Sequence, residues 1–254
     1  MNVVNTQVAY ILHKRAYRET SSILEVLTKD YGRVSLMARG SRGAKSRIAG
    51  SLLLFTPLVV SWQGKGDLPY LKNVERADLK APSLKSRPLL SAMYINELLM
   101  YLLHKEDVHE AIFEHYHRCL YALENEKNLE ITLRQFEIKL LELLGFGLNV
   151  QTEADTGASI QADAQYLYHL EHGAVLRTTA VHNDEWGSLP QISGHCLLAL
   201  SRETYQELAT NTQYMAELKR LMRFVINFHL GNKKLKSREL FRPVEKNMSA
   251  ADLS

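Results

Sequence analysis

The stretch "SSILEVLTKDYGRVSLMA", residues 21–38, decides how the first third of the chain folds. Residues 21–28 form a β-rich run, Asp30-Tyr31-Gly32 supplies a glycine turn, and the second run places Val34, Leu36 and Ala38 on one face by the two-residue period of a strand. The pattern predicts a β-hairpin. Upstream, Val8, Tyr10 and Leu12 alternate with more polar neighbours. Downstream, "TPLVVSW" (56–62) and "LPYLKNVE" (68–75) read as two more strands, parted by "QGKGD" (63–67), a loop with Gly64 and Gly66. Short strands at near-regular spacing with glycine turns predict a small closed or partly open barrel over residues 1–80.

After "APSLKSRP" (81–88) the period changes. Leu89, Leu90, Met93, Tyr94, Glu97 and Leu98 recur at helical spacing. So do Leu133, Phe136, Leu140, Leu141 and Leu144, which end at Gly145 in a C-cap position, and Leu218, Leu221, Met222, Val225 and Ile226. Residues 81–254 are thus read as a helical domain. It is interrupted at 164–178 by "AQYLYHLEHGAVLRT", a β-hairpin around His172-Gly173. The fold class is α+β: an N-terminal barrel, then a mainly helical domain with a small hairpin insert.

A chain of 254 residues is long enough to bury a core without staples. Its two cysteines, Cys119 and Cys196, form neither a CxxC pair nor a dense disulfide pattern, so reduced thiols and a cytoplasmic protein are expected. The longest apolar run, 51–62, is broken by Thr56 and Pro57 and falls short of the roughly 20 residues a spanning helix needs. The N-terminal residues lack the features of a secretory signal, so neither export nor a membrane is expected. The net charge is only +3, but it is unevenly spread. Residues 1–80 hold 13 Lys and Arg against 6 acids, residues 81–218 hold 9 against 19, and residues 219–246 hold 9 against 2. Two basic ends around an acidic middle point to a polyanionic partner.

Searches for catalytic motifs fail. In "HKEDVHEAIFEHYHRC" (104–119), His109-Glu110 begins a zinc-protease motif, but Phe113 stands where the second histidine belongs, and His115 and His117 point to different sides of a helix. This stretch is read as a solvated helix face, with metal binding the minor alternative. "RGSRG" (39–43) is not a nucleophile elbow. "GSRGAKS" (40–46) lacks the glycine before the lysine and the spacing of a phosphate-binding Walker loop, and a strand-like segment follows it. What remains is a loop that places Arg39, Arg42, Lys45 and Arg47 among three glycines, with Lys14, Arg15, Arg18 and Arg33 extending the charge. Arginine forks match phosphate oxygens, and glycines let a backbone approach them closely. In a barrel of the OB type, strand aromatics stack bases while charged loops track phosphates, and Trp62, Tyr70 and Tyr10 are suitably placed in sequence, though each also suits a core. A second basic segment, "HLGNKKLKSRELFRP" (229–243), carries Lys233, Lys234, Lys236, Arg238 and Arg242 but lies in the predicted helical domain.

"ILHKRAYRETSSILEVLTKDYGRVSLMARGSRGAKS" (11–46), "FEIKLLELLGFGLN" (136–149) and "LKSRELF" (235–241), in this order, resemble the landmarks of the RecO family of recombination mediators. The resemblance implies an N-terminal OB fold and a helical domain in a non-enzymatic protein of recombinational repair, cytoplasmic and associated with the nucleoid. It implies binding to single- and double-stranded DNA, annealing of complementary strands, and cooperation with RecR to load the RecA recombinase. It also implies a contact with the acidic-hydrophobic C-terminal tail of single-stranded-DNA-binding protein. Candidate DNA contacts are Arg15, Arg18, Arg33, Arg39, Arg42, Lys45, Arg47, Lys233, Lys234, Lys236 and Arg238. The tail would suit an apolar pocket rimmed by cations, for which Arg134, Phe136, Lys139 and Leu140 are the candidates. Some family members hold zinc with four cysteines after the "LLGF" helix; residues 147–178 contain no cysteine, so no metal or other cofactor is carried over. The competing readings are a generic RNA-binding OB protein and a metal-dependent nuclease built on carboxylates such as Glu106, Asp107 and Glu110.

Overall fold

The computed structural model describes residues 2–125, 128–177, 189–231 and 233–241. Packing divides the chain into two compact units, Met1–Glu126 with Lys234–Ser254, and Lys127–Lys233.

The first unit is built on a closed five-stranded barrel. Its strands are β1 (Asn2–Tyr17), β2 (Ser21–Thr28), β3 (Gly32–Ala38), β4 (Leu58–Gly64) and β5 (Tyr70–Arg76), in the order β1-β2-β3-β5-β4. β3 meets β5 in parallel at Met37 and Tyr70, and the other pairings are antiparallel. β1 closes the barrel by itself. Its first half pairs with β4, from Asn2 opposite Gly64 to Ala9 opposite Leu58, and its second half pairs with β2, from Ala9 opposite Thr28 to Tyr17 opposite Ser21. Register shifts at Val4/Gln7 and Ile11/His13 let one strand bend through both pairings, as bulges do at barrel corners.

The interior holds Ala9, Ile11, Leu24, Val26, Val34, Leu36, Ala38, Leu58, Val60, Trp62 and Val74. At about 1.5–3 kcal/mol for each large aliphatic side chain, burial of this kind is the main force holding the barrel closed. The hairpin face Val34, Leu36, Ala38 points inward as predicted. On β1 the inward face is Ala9 and Ile11, whereas Tyr10 and Leu12 are buried on the outer surface and Val8 is exposed. The outer burial comes from two helices, α1 (Ser86–Leu102) and α2 (Glu110–Asn125). Tyr10 packs edge-on to Tyr116 and beside Phe113, its hydroxyl 2.6 Å from His117 Nδ1. Asn96 donates to the Leu12 carbonyl and accepts from the Tyr116 hydroxyl. The inner stripe of α2, Ile112, Phe113, Tyr116, Cys119, Leu120 and Leu123, is buried, so only part of that helix is the solvated face that was expected. Burial raises the Cys119 thiol to about 12, which keeps it protonated. Gly32 allows the β2–β3 turn to touch the segment after α1: its φ is +62°, and a Cβ there would lie 2.0 Å from the Asp107 carbonyl oxygen.

The helices α1 and α2 thus belong by packing with the barrel, although the sequence period breaks at residue 81. The second unit comprises α3 (Leu129–Leu143), the strands β6 (Gln165–His169), β7 (Gly173–Leu176) and β8 (Gln191–Ser193), and the helices α4 (Gly194–Ser201), α5 (Tyr205–Ala209) and α6 (Thr212–Leu230). α3 starts on Asn128, whose side chain accepts from the Ile131 N–H. It ends in a Schellman motif, with the Gly145 N–H on the Glu142 carbonyl, the Phe146 N–H on the Leu141 carbonyl, and Gly145 at φ +82°. The expected hairpin is present as β6 and β7, with residue 178 outside the described residues. The sheet also gains β8 on the other side of β6, three residues too short to show in a periodic pattern.

Candidate nucleic-acid interface

The loop between β3 and β4 is ordered by the barrel at its basic end. The Arg42 N–H donates to the Thr20 carbonyl (2.8 Å), Arg42 Nη1 to the Arg18 carbonyl (3.2 Å) and Ser41 Oγ to Ser22 Oγ (2.9 Å). These bonds fasten the loop to the β1–β2 turn, where Arg18 adopts φ +51° and its guanidinium lies 5.3 Å from the Tyr17 ring. Arg39 lies over Tyr70, the first residue of β5, at 3.7 Å from the ring centre. A guanidinium stacked by its face keeps its N–H edges for another ligand. Gly40 supplies the positive φ (+63°) from which two turns continue, Gly43 N–H to the Gly40 carbonyl and Ser46 N–H to the Gly43 carbonyl. Lys14 and Arg15 on β1, and Lys45 and Arg47 in the loop, are exposed and have no protein partner among the described residues. The barrel thus anchors the start of the loop, residues 39–42, which presents a rim of arginines beside one turn and one strand end.

Arg33 is not part of this rim. It forms a 2.8 Å ion pair with Glu25, both side chains 11% exposed, and donates through Nε and Nη2 to the Leu103 carbonyl. Glu25 also accepts from Ser35 Oγ. The cation is spent on joining β2 and β3 to the end of α1. Two aromatics of the expected stacking platform are likewise internal. Tyr10 is sealed under α1 and α2, and Trp62 sits in the barrel interior with its ring edge-on to Tyr31. Only Tyr70 is partly exposed. The apolar half of the loop divides: Leu52 and Phe55 are buried, but Leu53 and Leu54 face solvent rather than the core.

The C-terminal basic segment is placed differently from its reading. Lys234, Lys236 and Arg238 belong to the barrel unit, while Lys233 ends the other unit. The Lys236 and Ser237 N–H groups and the Ser237 hydroxyl all donate to the Glu97 carboxylate on α1, and the Arg238 guanidinium lies 5.9 Å from the Tyr94 ring. Arg242 lies outside the described residues.

The proposed pocket on α3 is not formed by its four residues. Phe136 and Leu140 are core, Arg134 is buried against Glu137 at 2.9 Å, and Lys139 bonds Glu142 at 2.7 Å. The carboxylates of the nuclease reading are dispersed too. Asp107 bonds His109 and Glu110 bonds Lys29, and among the described residues no three His, Cys, Asp or Glu side chains are arranged to hold a metal ion. A feature missed in sequence is a polar cleft of about 430 Å³ near the β4–β5 loop, lined by Tyr31, Trp62, Lys65 and Lys105 among others. Its signal, the two glycines of "QGKGD", was visible only as a turn.

The closed strand order with β3 parallel to β5, continued by helices, defines the OB-fold class joined to a helical domain. The chain matches the family models described as "Recombination protein O N terminal" over residues 1–79 and "Recombination protein O C terminal" over residues 87–239. It is 41% identical over 232 residues to the DNA repair protein RecO of Coxiella burnetii (strain RSA 493 / Nine Mile phase I), covering 91% of this chain and 95% of that one. It is 40% identical over 240 residues to the DNA repair protein RecO of Nitrosococcus oceani (94% of each chain), and 40% over 237 residues to that of Methylococcus capsulatus (92% and 91%). The chain belongs to the RecO family of DNA repair proteins. Among the described residues no helix is long and apolar enough to cross a membrane.

Proposed function

We propose that this protein is a recombination mediator that acts without covalent catalysis. It binds single- and double-stranded DNA on the rim formed by Arg15, Arg18, Arg39, Arg42, Lys45 and Arg47, and it anneals complementary strands. In the cell it works with RecR on DNA coated with single-stranded-DNA-binding protein, engages that protein's tail, and helps to load RecA. The observation that supports this reading is the loop's construction. Arg39 and Arg42 are held in place by Tyr70 and the β1–β2 turn, while Lys45 and Arg47 are left without protein partners among the described residues. Pre-placed cations lose little entropy on meeting phosphates, and neutralising two strands lowers the repulsion that opposes their pairing.

The test is a salt titration of oligonucleotide binding, followed by annealing of strands coated with single-stranded-DNA-binding protein. Replacing Arg39, Arg42, Lys45 and Arg47 by Ala lowers the log–log salt slope by about 0.7 for each single-strand phosphate that is no longer neutralised, and annealing slows in parallel. An unchanged slope at low ionic strength refutes the placement. A preference for RNA over DNA oligonucleotides in the same assay returns the protein to the generic RNA-binding reading.

A further inference from the structure

The polar cleft beside the β4–β5 loop, about 430 Å³, takes no part in the rim of arginines. Its volume falls within the roughly 300–1,000 Å³ of clefts that take small ligands. Two separate segments of the barrel unit line it with charge: Lys65 and Asp67 in the loop, and Lys105 and Glu106 after α1. Tyr31 and Trp62 supply an aromatic wall. All four charged residues are exposed, and although both signs meet in one cleft, none of their side chains has a protein partner among the described residues. Donors and acceptors thus stand free around the same space. A ligand that uses them all must present acceptors on one edge and donors on another.

The segment after α1 is held in place. The Glu106 N–H donates to the Arg33 carbonyl (2.9 Å), the Arg33 side chain donates to the Leu103 carbonyl, and Gly32 lies so near Asp107 that no Cβ fits between them. Glu106 has a left-handed backbone, φ +60°, without glycine's freedom to adopt it. Strain of this kind concentrates at ligand clamps. Tyr31 is fixed as well. Its N–H donates to Thr28 Oγ1 (3.1 Å), and its ring meets that of Trp62 at 5.3 Å with the planes 81° apart. A perpendicular contact takes up one side of the ring, and Tyr31 remains 41% exposed, which leaves a flat aromatic surface at the cleft.

A flat face beside free ammonium donors and carboxylate acceptors fits a nucleobase, and among the bases of DNA it fits guanine best. Guanine carries two adjacent acceptors, O6 and N7, that suit lysine, and a 2-amino group that suits a carboxylate. Thymine has no amino group, cytosine lacks the O6 and N7 pair, and adenine offers N7 next to a competing amino donor. We propose that this cleft binds an unpaired guanine base. The base stacks on Tyr31, its O6 and N7 face Lys65 and Lys105, and its N1–H and 2-amino groups face Asp67 and Glu106. It comes either from a free guanine nucleotide or from a DNA strand. Pro69 of the lining precedes Tyr70, on which Arg39 rests, so cleft and rim meet at the start of β5. The site stands on the cleft's own chemistry, and only its occupation by a strand rests on the DNA-binding reading.

The experiment titrates the monophosphates of deoxyguanosine, deoxyinosine and deoxythymidine into the full chain, followed by the ring resonances of Tyr31 and Trp62. The guanine nucleotide is expected to bind at least tenfold tighter than the thymine nucleotide and about fivefold tighter than the inosine nucleotide, which lacks the 2-amino group. Asp67→Asn with Glu106→Gln removes the preference over inosine. Tyr31→Ala weakens binding about tenfold and Tyr31→Phe does not, since the stacking face is kept. Short thymidine strands with and without one central guanine separate the two sources: tighter binding of the guanine strand assigns the base to DNA, and a preference confined to the nucleotide assigns it to the free ligand. Equal binding of the three nucleotides, or ring signals of the unmutated protein that do not move, overturns the proposal. So does a preference over inosine that survives Asp67→Asn with Glu106→Gln. Binding that the Arg39, Arg42, Lys45, Arg47 alanine variant loses and the cleft variants keep also overturns it, because the nucleotide is then held on the rim by its phosphate. If no strand binds and the guanine nucleotide keeps its preference, the cleft stands and the DNA-binding reading falls.

Discussion

The β3–β4 loop and helix α3 contain similar residues and use them in opposite ways. In the loop, Arg39 rests on Tyr70 and Arg42 leans on the Arg18 carbonyl, so both cations stay at the surface. In α3, the Arg134 side chain is 8% exposed and its partner Glu137 is fully buried, while Phe136 and Leu140 fill the core. Arg33 stands only six residues before Arg39, yet it follows the pattern of α3. The fate of an arginine is decided by whether a carboxylate meets it out of water, on the neighbouring strand for Arg33 and one helical turn along for Arg134. A charge run in sequence does not carry that information.

Removing the buried cations gives the largest effect. Arg33→Ala leaves Glu25 in a low-dielectric site with only Ser35 as its partner among the bonds described, and breaking a buried pair from one side costs about 3–5 kcal/mol. Chemical denaturation should show that loss, with DNA affinity per folded molecule unchanged. Arg134→Ala should do the same through Glu137. A variant of either kind that unfolds at the wild-type midpoint breaks the comparison, because the pair then contributes nothing. The loop variant is its mirror image. Alanine at Arg39, Arg42, Lys45 and Arg47 should leave stability within about 0.5 kcal/mol, as for surface changes generally, and reduce oligonucleotide affinity at low salt by about a hundredfold. A drop in stability comparable with that of Arg33→Ala would mean that the loop is a brace and not a binding rim.

These contrasts show what was legible in the sequence. The hairpin at 21–38 was legible because one face of β3 is buried and the turn contains glycine, so local signals agree with the fold. The helices α1, α3 and α6 were legible from their stripes, and the end of α3 from Gly145. The inward side of β1 was hidden because residues 9–12 are buried on both faces: Ala9 and Ile11 lie inside the barrel and Tyr10 and Leu12 beneath helices about a hundred residues away in sequence. That segment therefore has no polar face to reveal which side is inward. The basic loop was found through its charge, but its anchors were not, since the bonds from Arg42 to Thr20 and Arg18 depend on strand pairing. The affiliation of Lys234, Lys236 and Arg238 with the barrel unit was hidden for the same reason. It rests on Glu97, which in sequence is simply one helix residue among others.

A buried carboxylate without an arginine sharpens the contrast at smaller cost. Burial alone would raise the pKa of Glu217, but hydrogen bonds from the Ser193 side chain and N–H, Gln213 and Cys196 outweigh it and hold the group below the usual carboxylate value. A depressed folded pKa stabilises the native state above the unfolded value, and that stabilisation is lost as pH falls through the folded value. Glu217→Gln should therefore destabilise by about 1–2 kcal/mol at pH 7, and the difference from wild type should shrink steadily as the pH falls below the ordinary carboxylate range. A difference that does not depend on pH would place the effect in packing instead.

The smallest effect bears directly on how the loop presents its charge. Arg39→Lys keeps the cation but loses the flat guanidinium that lies 3.7 Å above Tyr70. If stacking pre-places the charge, Lys should bind single-stranded DNA about threefold more weakly than Arg, in line with the modest strength of an exposed cation–π contact. The salt slope should not change, because the number of phosphates neutralised is the same. Tyr70→Leu should reproduce the loss, and Arg39→Lys added to Tyr70→Leu should cost no more than either alone, since both remove one interaction. Additive losses would mean that Tyr70 contacts the DNA itself, as a stacking platform independent of Arg39. The rim would then extend from the loop onto the barrel face at β5.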